Sequence, residues 1–380
     1  MPAFLTDDQR AVRDAARRFS DAQVAPMARA LDRDDTFPRA IYAAMAELGF
    51  YGLSLAEDLG GAGLDTLSLS LVMAELARNS AAVGNAFAIP VEAALFLAHH
   101  GSAGQRALIP DILAGRLVFA TAMTEPDFGS DAAGIRTRAR KVEGGFRLTG
   151  TKAWVTLGGV CDRIIVFART GEGPGHRAMS CFLVDAHEAG VTRGKAEELL
   201  GMHGLEDCQI VFEDVFVPDA GLIGPRDGAF KLAMENFNFS RLLMSSLALG
   251  VAQAALEDGV AYARTRKQFG APILSFQAVQ FMIADTSTEV DAARLLIHHA
   301  CRLHDAGLPY VKQAAQAKLF TTDMAQRAVT RSLQIHGGNG YSRDYRIERL
   351  YRDVRLTQIY EGTNEIQRLI IARQVEQELA

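Results

Sequence analysis

Glu361 is a residue that could do acid–base chemistry. It sits in Ile359-Tyr360-Glu361-Gly362-Thr363-Asn364, with apolar groups before it and a glycine after it. A carboxylate among apolar neighbours holds its proton more tightly and becomes a competent base near neutral pH. The same residue also fits an ordinary surface loop. Other segments could cradle a ligand. Thr124, Ser130 and the loop amides of TEPDFGSD, residues 124–131, could hydrogen-bond a planar polar molecule. Trp154, the only tryptophan, stands two residues before Thr156 in GTKAWVT, so a strand would put both on one face, against an aromatic ring. Arg266, in RTRKQFG within a late helix, could clamp a pyrophosphate with its planar fork. Gly337, Gly338 and Gly340 in QIHGGNGY let another molecule approach the backbone closely. Each segment also has a purely structural reading: a polar turn, a core tryptophan, a solvated basic helix face and a helix-ending turn.

Other chemistries are disfavoured. The glycines of QIHGGNGY follow a helix rather than a strand and lack Gly-x-Gly-x-x-Gly spacing, so they are not a dinucleotide fingerprint. His298, Cys301 and His304 drift off a common helical face, and no Cys-x-x-Cys occurs, so no metal site is expected. Forty basic against 45 acidic residues give a net charge of −5, which argues against a general nucleic-acid binder. The start lacks a basic and then apolar leader, and the uncharged stretch 242–256 is short and interrupted by polar residues. These features, with four scattered cysteines, lead us to expect a cytoplasmic protein without a membrane span.

Three textures along the 380 residues must position these groups. Residues 1–116 read as helical, with Thr6 as a candidate N-cap, helical patterns at 67–76 and 91–100, and a glycine loop in LGGAGLD. Residues 117–228 hold short apolar, β-branched runs between turn residues, predicting a small antiparallel β-domain, barrel or sandwich, with GEGPGH as an exposed hairpin loop. Residues 229–380 return to long helical patterns (230–268, 276–306 and 311–336), those of a four- or five-helix bundle. Thr363 or Asn364 would cap a last helix, leaving Glu361 on a short connection.

The order and separation of TEP-x-x-GSD, GTKAWVT, FEDVFVP, R-x-x-FG, QIHGGNGY and IYEGTNEIQR resemble the acyl-CoA dehydrogenase family across nearly the whole chain. The resemblance implies a mostly α, α+β multidomain fold: an N-terminal helical domain, a middle β-barrel-like domain and a C-terminal four-helix bundle. It implies non-covalent FAD between the latter two, with Met123, Thr124 and Ser130 along the flavin edge and Trp154 and Thr156 against the ring. Arg266, Gln268, Phe276, Gln277 and Gln334 to Gly338, including Gly337, would meet the FAD of a neighbouring subunit, and Thr363 and Glu365 its phosphate and adenosine part. Ser130, Asn238, Arg241 and Gly362 would contact substrate.

Glu361 matches the family's catalytic base. Some members place the base just before the bundle arginine, but here that position is Ser240, ahead of Arg241, which cannot serve. The implied activity is α,β-dehydrogenation of an acyl-CoA to the trans-2-enoyl-CoA, with an electron-transfer flavoprotein as acceptor and a homo-oligomer, usually a tetramer. An oxidase or monooxygenase on the same scaffold, or a carrier-protein thioester as substrate, are the alternatives. Asp127-Phe128, Ala56 and the segment 82–90 depart from the common pattern, which leaves the acyl group open.

Overall fold

The computed structural model describes residues 5–380. Helices α1 (Asp7–Phe19), α2 (Ala25–Asp34), α3 (Arg39–Glu47), α4 (Thr66–Ala77), α5 (Ala81–His100), α6 (Ala103–Arg106) and α7 (Ile109–Leu113) come first. Strands β1 (Phe119–Ala122), β2 (Arg138–Val142), β3 (Gly145–Val155), β4 (Arg163–Arg169), β5 (Met179–Asp185), β6 (Val191–Ala196), β7 (Cys208–Pro218) and β8 (Leu222–Ile223) follow. Then come α8 (Ala229–Thr265), a hairpin of β9 (Lys267–Gln268) and β10 (Ala271–Pro272), and helices α9 (Gln277–Asp305), α10 (Val311–His336), α11 (Ile347–Val354) and α12 (Asn364–Leu379). The helix–sheet–helix order is the one the sequence texture predicts.

Local chemistry sets the boundaries. Thr6 caps α1 through a reciprocal box with Gln9. The glycine loop ahead of α4 turns on Gly60 (φ +84°) and Gly63 (φ +63°), and Asp65 caps that helix by accepting from the Ser68 amide. One expectation needs lengthening: α5 begins at Ala81, ten residues before the periodic stretch noticed in the sequence, because Ser80 caps it and Pro90 is accommodated inside. GEGPGH spans the β4–β5 connection as expected.

Two readings are corrected. The sheet runs β6-β7-β3-β2-β4-β5-β8, and most pairs are antiparallel, but β1 lies parallel to β4. Val118 fixes that pairing by exchanging bonds with Asp162: its amide donates to Oδ2 (2.8 Å) and its carbonyl accepts from the Asp162 amide (2.7 Å). The RTRKQFG segment does not lie within a helix. The helix stops at Thr265, and Phe269 (φ +51°) and Gly270 (φ +80°) form the left-handed turn of the β9–β10 hairpin.

Helices α8, α9, α10 and α12 pack around one another, and α8 also packs on α4 and α5, so the first helices and the bundle share a core. Leu67, Leu247, Val329 and the strand residues Val166 and Phe182 belong to one contiguous buried cluster. Helices α5 and α8 are long and apolar enough to cross a membrane by length and composition, yet most of each lies buried inside the protein, as core helices do.

The α4–α8 contact depends on small residues. Ser70 Oγ and Ser246 Oγ are 2.6 Å apart, and one turn further a Cβ on Gly250 would stand 2.1 Å from the Ala74 carbonyl oxygen. That neighbour is backbone and cannot swing aside. Gly250→Ala should therefore destabilise the fold by about 3 kcal/mol, read as a lowered thermal midpoint; an unchanged midpoint would show that the two helices part without strain.

Candidate active site

The turn carrying Glu361 joins the end of the α11 region to α12. Two consecutive left-handed residues build it, Glu361 (φ +54°) and Gly362 (φ +87°). Such a conformation at a non-glycine residue costs about 1–3 kcal/mol and persists only where the surroundings impose it. Here they do. The Glu361 carbonyl accepts from Arg241 Nε (3.3 Å) and Gln367 Nε2 (3.2 Å), and the Gly362 carbonyl from Gln367 Nε2 (2.8 Å) and Lys318 Nζ (2.9 Å). Lys318 also donates to Asn364 Oδ1 (2.8 Å), and Thr363 caps α12 by accepting from the Ile366 amide. Asn238 accepts from Arg241 Nη1 at 2.6 Å, so Asn238, Arg241, Glu361 and Gly362 form one connected group.

The backbone of Glu361 is thus tied down while its carboxyl is left free: Oε2 is buried and has no hydrogen-bond partner. Burial raises the pKa of this carboxyl, and the Arg241 and Lys318 cations and the Ser240 hydroxyl pull against that rise. Burial likewise lowers Arg241 below its ordinary value and brings Lys318 down to about 7. The surface-loop reading of Glu361 does not hold.

A second group forms on the sheet. Lys152 on β3 is fully buried and donates to the Met123 carbonyl (2.8 Å) and to Glu125 Oε1 (2.9 Å). Glu125 in turn accepts from the amides of Arg136 (2.6 Å) and Thr137 (2.9 Å), and the Ala153 amide donates to the Thr124 carbonyl (2.9 Å). The polar loop is thereby fastened along β3, bringing Met123 and Thr124 beside Trp154. Trp154 is not a core residue: it has φ +55° and is 59 % exposed, although Lys152, Ala153 and Val155 around it are buried. Its register slips between Lys152 and Val155, so simple strand alternation does not relate Trp154 to Thr156. Thr156 instead donates to Asp207 Oδ1 (2.7 Å), whose pKa burial pushes up to about 6. Ser130 is exposed on the loop.

A third group gathers where α8 and α10 end. The Arg266 amide bonds to the Tyr262 carbonyl, the Tyr262 hydroxyl accepts from Asn339 of the glycine segment (2.9 Å), and the Tyr262 ring stacks on His336 at 4.3 Å. Arg266, Gln268, Gln277, Gln334, Gly337 and Gly338 are all exposed here, with Phe276 half-buried and Phe269 95 % exposed. Added Cβ atoms on Gly337 or Gly338 would meet nothing within 4 Å. This group stands apart from Glu361. Lys318 and Gln334 are sixteen residues apart on α10, roughly 24 Å at the helical rise. Glu365 is exposed in the first turn of α12.

Sequence reading passed over four of these side chains. Glu125 and Lys152 lie inside quoted motifs, but only contact reveals them as a buried pair. Lys318 carried a usable signal, a single cation on the alanine-rich face of α10. Glu92 carried another as the one acid in the apolar helix α5. Its carboxyl lies close enough to Glu361 for the two charges to interact. The four cysteines are buried and free, and the described residues contain no cluster suited to a metal ion.

Known proteins share this fold. The acyl-CoA dehydrogenase N-terminal, middle and C-terminal domain models match residues 6–116, 120–215 and 227–376. The chain belongs to the acyl-CoA dehydrogenase family. It is 41 % identical over 371 residues to an acyl-CoA dehydrogenase of Bacillus subtilis, covering 97 % of this chain and 98 % of that protein. Butyryl-CoA dehydrogenase from Megasphaera elsdenii superposes with a TM-score of 0.96 at 34 % identity, covering 98 % and 99 % of the two chains. An FAD complex of PigA superposes at 0.95 with 26 % identity, covering 98 % of both.

The Lys152–Glu125 pair yields a test. Lys152→Met leaves a buried carboxylate without its cation, a change that typically costs about 3–5 kcal/mol. We expect a lower melting temperature together with weaker flavin retention on gel filtration. Full flavin content at an unchanged melting temperature would mean that the loop is held by other contacts.

Proposed function

We propose that this acyl-CoA dehydrogenase removes the α and β hydrogens of an acyl-CoA, with Glu361 taking the α proton, and releases the trans-2-enoyl-CoA. The observation that carries the reading is the free, buried carboxyl of Glu361 on a turn held by Arg241, Gln367 and Lys318. FAD is the cofactor, and when bound it supplies the acceptor for the β hydride and the yellow colour that reports its redox state. The protein's residues fit it. Trp154 offers an exposed indole face on an otherwise buried strand, with Thr124 alongside. Met123, Thr124, Ser130, Trp154 and Thr156 would hold the ring system, and Thr363 and Glu365 its polar tail.

The chain's own part is to orient and to dry the site. Burial of Glu361 keeps water away, so its carboxylate is a stronger base than one in solution. The left-handed turn aims that carboxyl inward while exposing its own amide, which can donate to the thioester carbonyl oxygen as negative charge develops there. Arg241 favours the ionised form of Glu361 and so works against the rise that burial causes.

The separation of the Arg266–Gly338 group from Glu361 supports a site shared between copies. We propose that these exposed residues meet the cofactor of a neighbouring subunit in a homotetramer. The electron acceptor is an electron-transfer flavoprotein, and the enzyme is soluble and cytoplasmic.

Mixing the purified protein anaerobically with a panel of acyl thioesters tests the reaction: at least one should bleach the flavin, and the colour should return slowly in air. Glu361→Gln should keep its flavin and lose turnover by a factor of about a thousand or more. Near-normal turnover in that variant would remove Glu361 from the chemistry.

The pH profile gives an independent check. A base works only when deprotonated, and burial raises this one. Turnover should therefore climb with pH along a limb displaced above the ordinary glutamate value of about 4.3. Arg241→Leu removes a cation that favours the ionised form, so it should move the limb higher still. A limb that stays put would place Arg241 outside the electrostatics of the base.

A further inference from the structure

Glu92 is a buried acid beside Glu361 for which the dehydrogenation chemistry has no use. Glu92, Leu95, Phe96 and His99 follow at i, i+3, i+4 and i+7 on α5, one face of that helix. Asn236, Phe239 and Ser240 do the same at i, i+3 and i+4 on α8. Five of these seven residues, all but Glu92 and Ser240, line a cavity of about 450 Å³ between the two helices. The remaining two sit one turn deeper on the same faces, and both adjoin Glu361. Glu92, Tyr360 and Glu361 all lie deep in the protein yet keep accessible surface, so they border an internal space rather than bulk solvent.

Its polarity is unusual for a hydrocarbon chain. The Glu92 carboxyl is within hydrogen-bonding reach of the Asn236 and Ser240 side chains. Ser240 Oγ is fully buried between the two carboxyls without a well-aligned bond to either, and Tyr360 Oη and Glu361 Oε2 are unpartnered as well. An apolar acyl group packed against the Glu92 carboxyl, which keeps accessible surface, would strip it of water and offer no partner in return, and a buried polar group without a partner costs about 1–3 kcal/mol.

We propose that Glu92 is a specificity-determining residue that selects acyl thioesters carrying an uncharged hydrogen-bonding oxygen, a hydroxyl or a carbonyl, close to the reacting carbons. The proposal rests on the dehydrogenase reading of Glu361 and deepens it. Burial and the negative charge of Glu361 push the Glu92 pKa up to about 8. Near neutral pH it is therefore a protonated acid, able both to donate and to accept. A second carboxylate on the substrate would meet Glu361 unfavourably, so an uncharged oxygen is the fitting partner.

The test compares thioesters of equal chain length, butanoyl-CoA against 4-hydroxybutanoyl-CoA and 3-phenylpropanoyl-CoA against 3-(4-hydroxyphenyl)propanoyl-CoA. Two quantities are measured: kcat/KM, and the equilibrium Kd of the matching enoyl product. The natural enzyme should favour the hydroxylated member of at least one pair by about tenfold or more in both. Glu92→Leu should reverse that preference, and Glu92→Gln, which keeps a donor and an acceptor, should retain it. An enzyme that prefers the plain chains in both pairs, or a Glu92→Leu variant whose preference is unchanged, overturns the proposal while leaving the dehydrogenase intact. If no thioester in either pair or in the wider panel reduces the flavin, the reading of Glu361 fails too, and that result is distinct. Should Glu92→Leu not fold, loss of the preference in a folded Glu92→Ala variant supports the proposal, and its retention there overturns it.

Discussion

The site depends on holding one carboxylate away from water on a backbone turn that its own sequence does not favour. Left-handed geometry at Glu361 would relax if the turn were free. Arg241 from α8, Lys318 from α10 and Gln367 from α12 each bond to a carbonyl of the Glu361–Gly362 pair. Three helices of the bundle therefore converge on two peptide units. The bundle is the clamp, and its length and straightness matter because they decide where these three side chains arrive.

The same cations serve electrostatics. Lys318 and Arg241 are both buried, and neither forms a direct ion pair with Glu361: Arg241 donates to the Glu361 carbonyl and Asn238 Oδ1, and Lys318 to the Gly362 carbonyl and Asn364 Oδ1. Their positive charge still acts through a low-dielectric interior. This arrangement favours the ionised base without capping the oxygen that must accept a proton. A direct, closely paired salt bridge would have lowered the carboxyl too far and blocked it.

Much of this was legible in the sequence, and the reasons for the exceptions are physical. Periodicity located α8, α9 and α10 nearly to the residue, since long amphipathic helices repeat their pattern many times. It failed at the end of α8, where the chemistry of two residues, Phe269 and Gly270, turns the chain into a hairpin. The β-texture was plain, yet the parallel placement of β1 beside β4 arises from long-range bonds between Val118 and Asp162, which no local pattern encodes. Order and spacing of the motifs pointed to Glu361, Trp154 and Arg266. Composition near Trp154 suggested a core residue, and a register slip with φ +55° turned it outward instead. Glu92 and Lys318 belong to no motif read as chemistry, and Glu125 and Lys152 lie inside two that were read for other residues. A lone charge in an apolar helix was the only trace that Glu92 and Lys318 left, and it becomes meaningful only when a partner from another element is seen opposite.

The two carboxyls beside Ser240 show how environment divides labour between like groups. Both are buried, so both resist ionisation, and each raises the other's difficulty in losing a proton. What separates them is the company they keep. Glu361 faces Arg241 and Lys318, whereas Glu92 faces the neutral side chains of Asn236 and Ser240 and the negative charge of Glu361. The two cations therefore pull the Glu361 carboxyl back against the rise that burial causes, while the Glu92 carboxyl is pushed up to about 8. A turn position and a helix position thus set the same amino acid in two different electrostatic surroundings. The asymmetry comes from the bundle helices α8 and α10, which bring both cations to Glu361 and neither to Glu92.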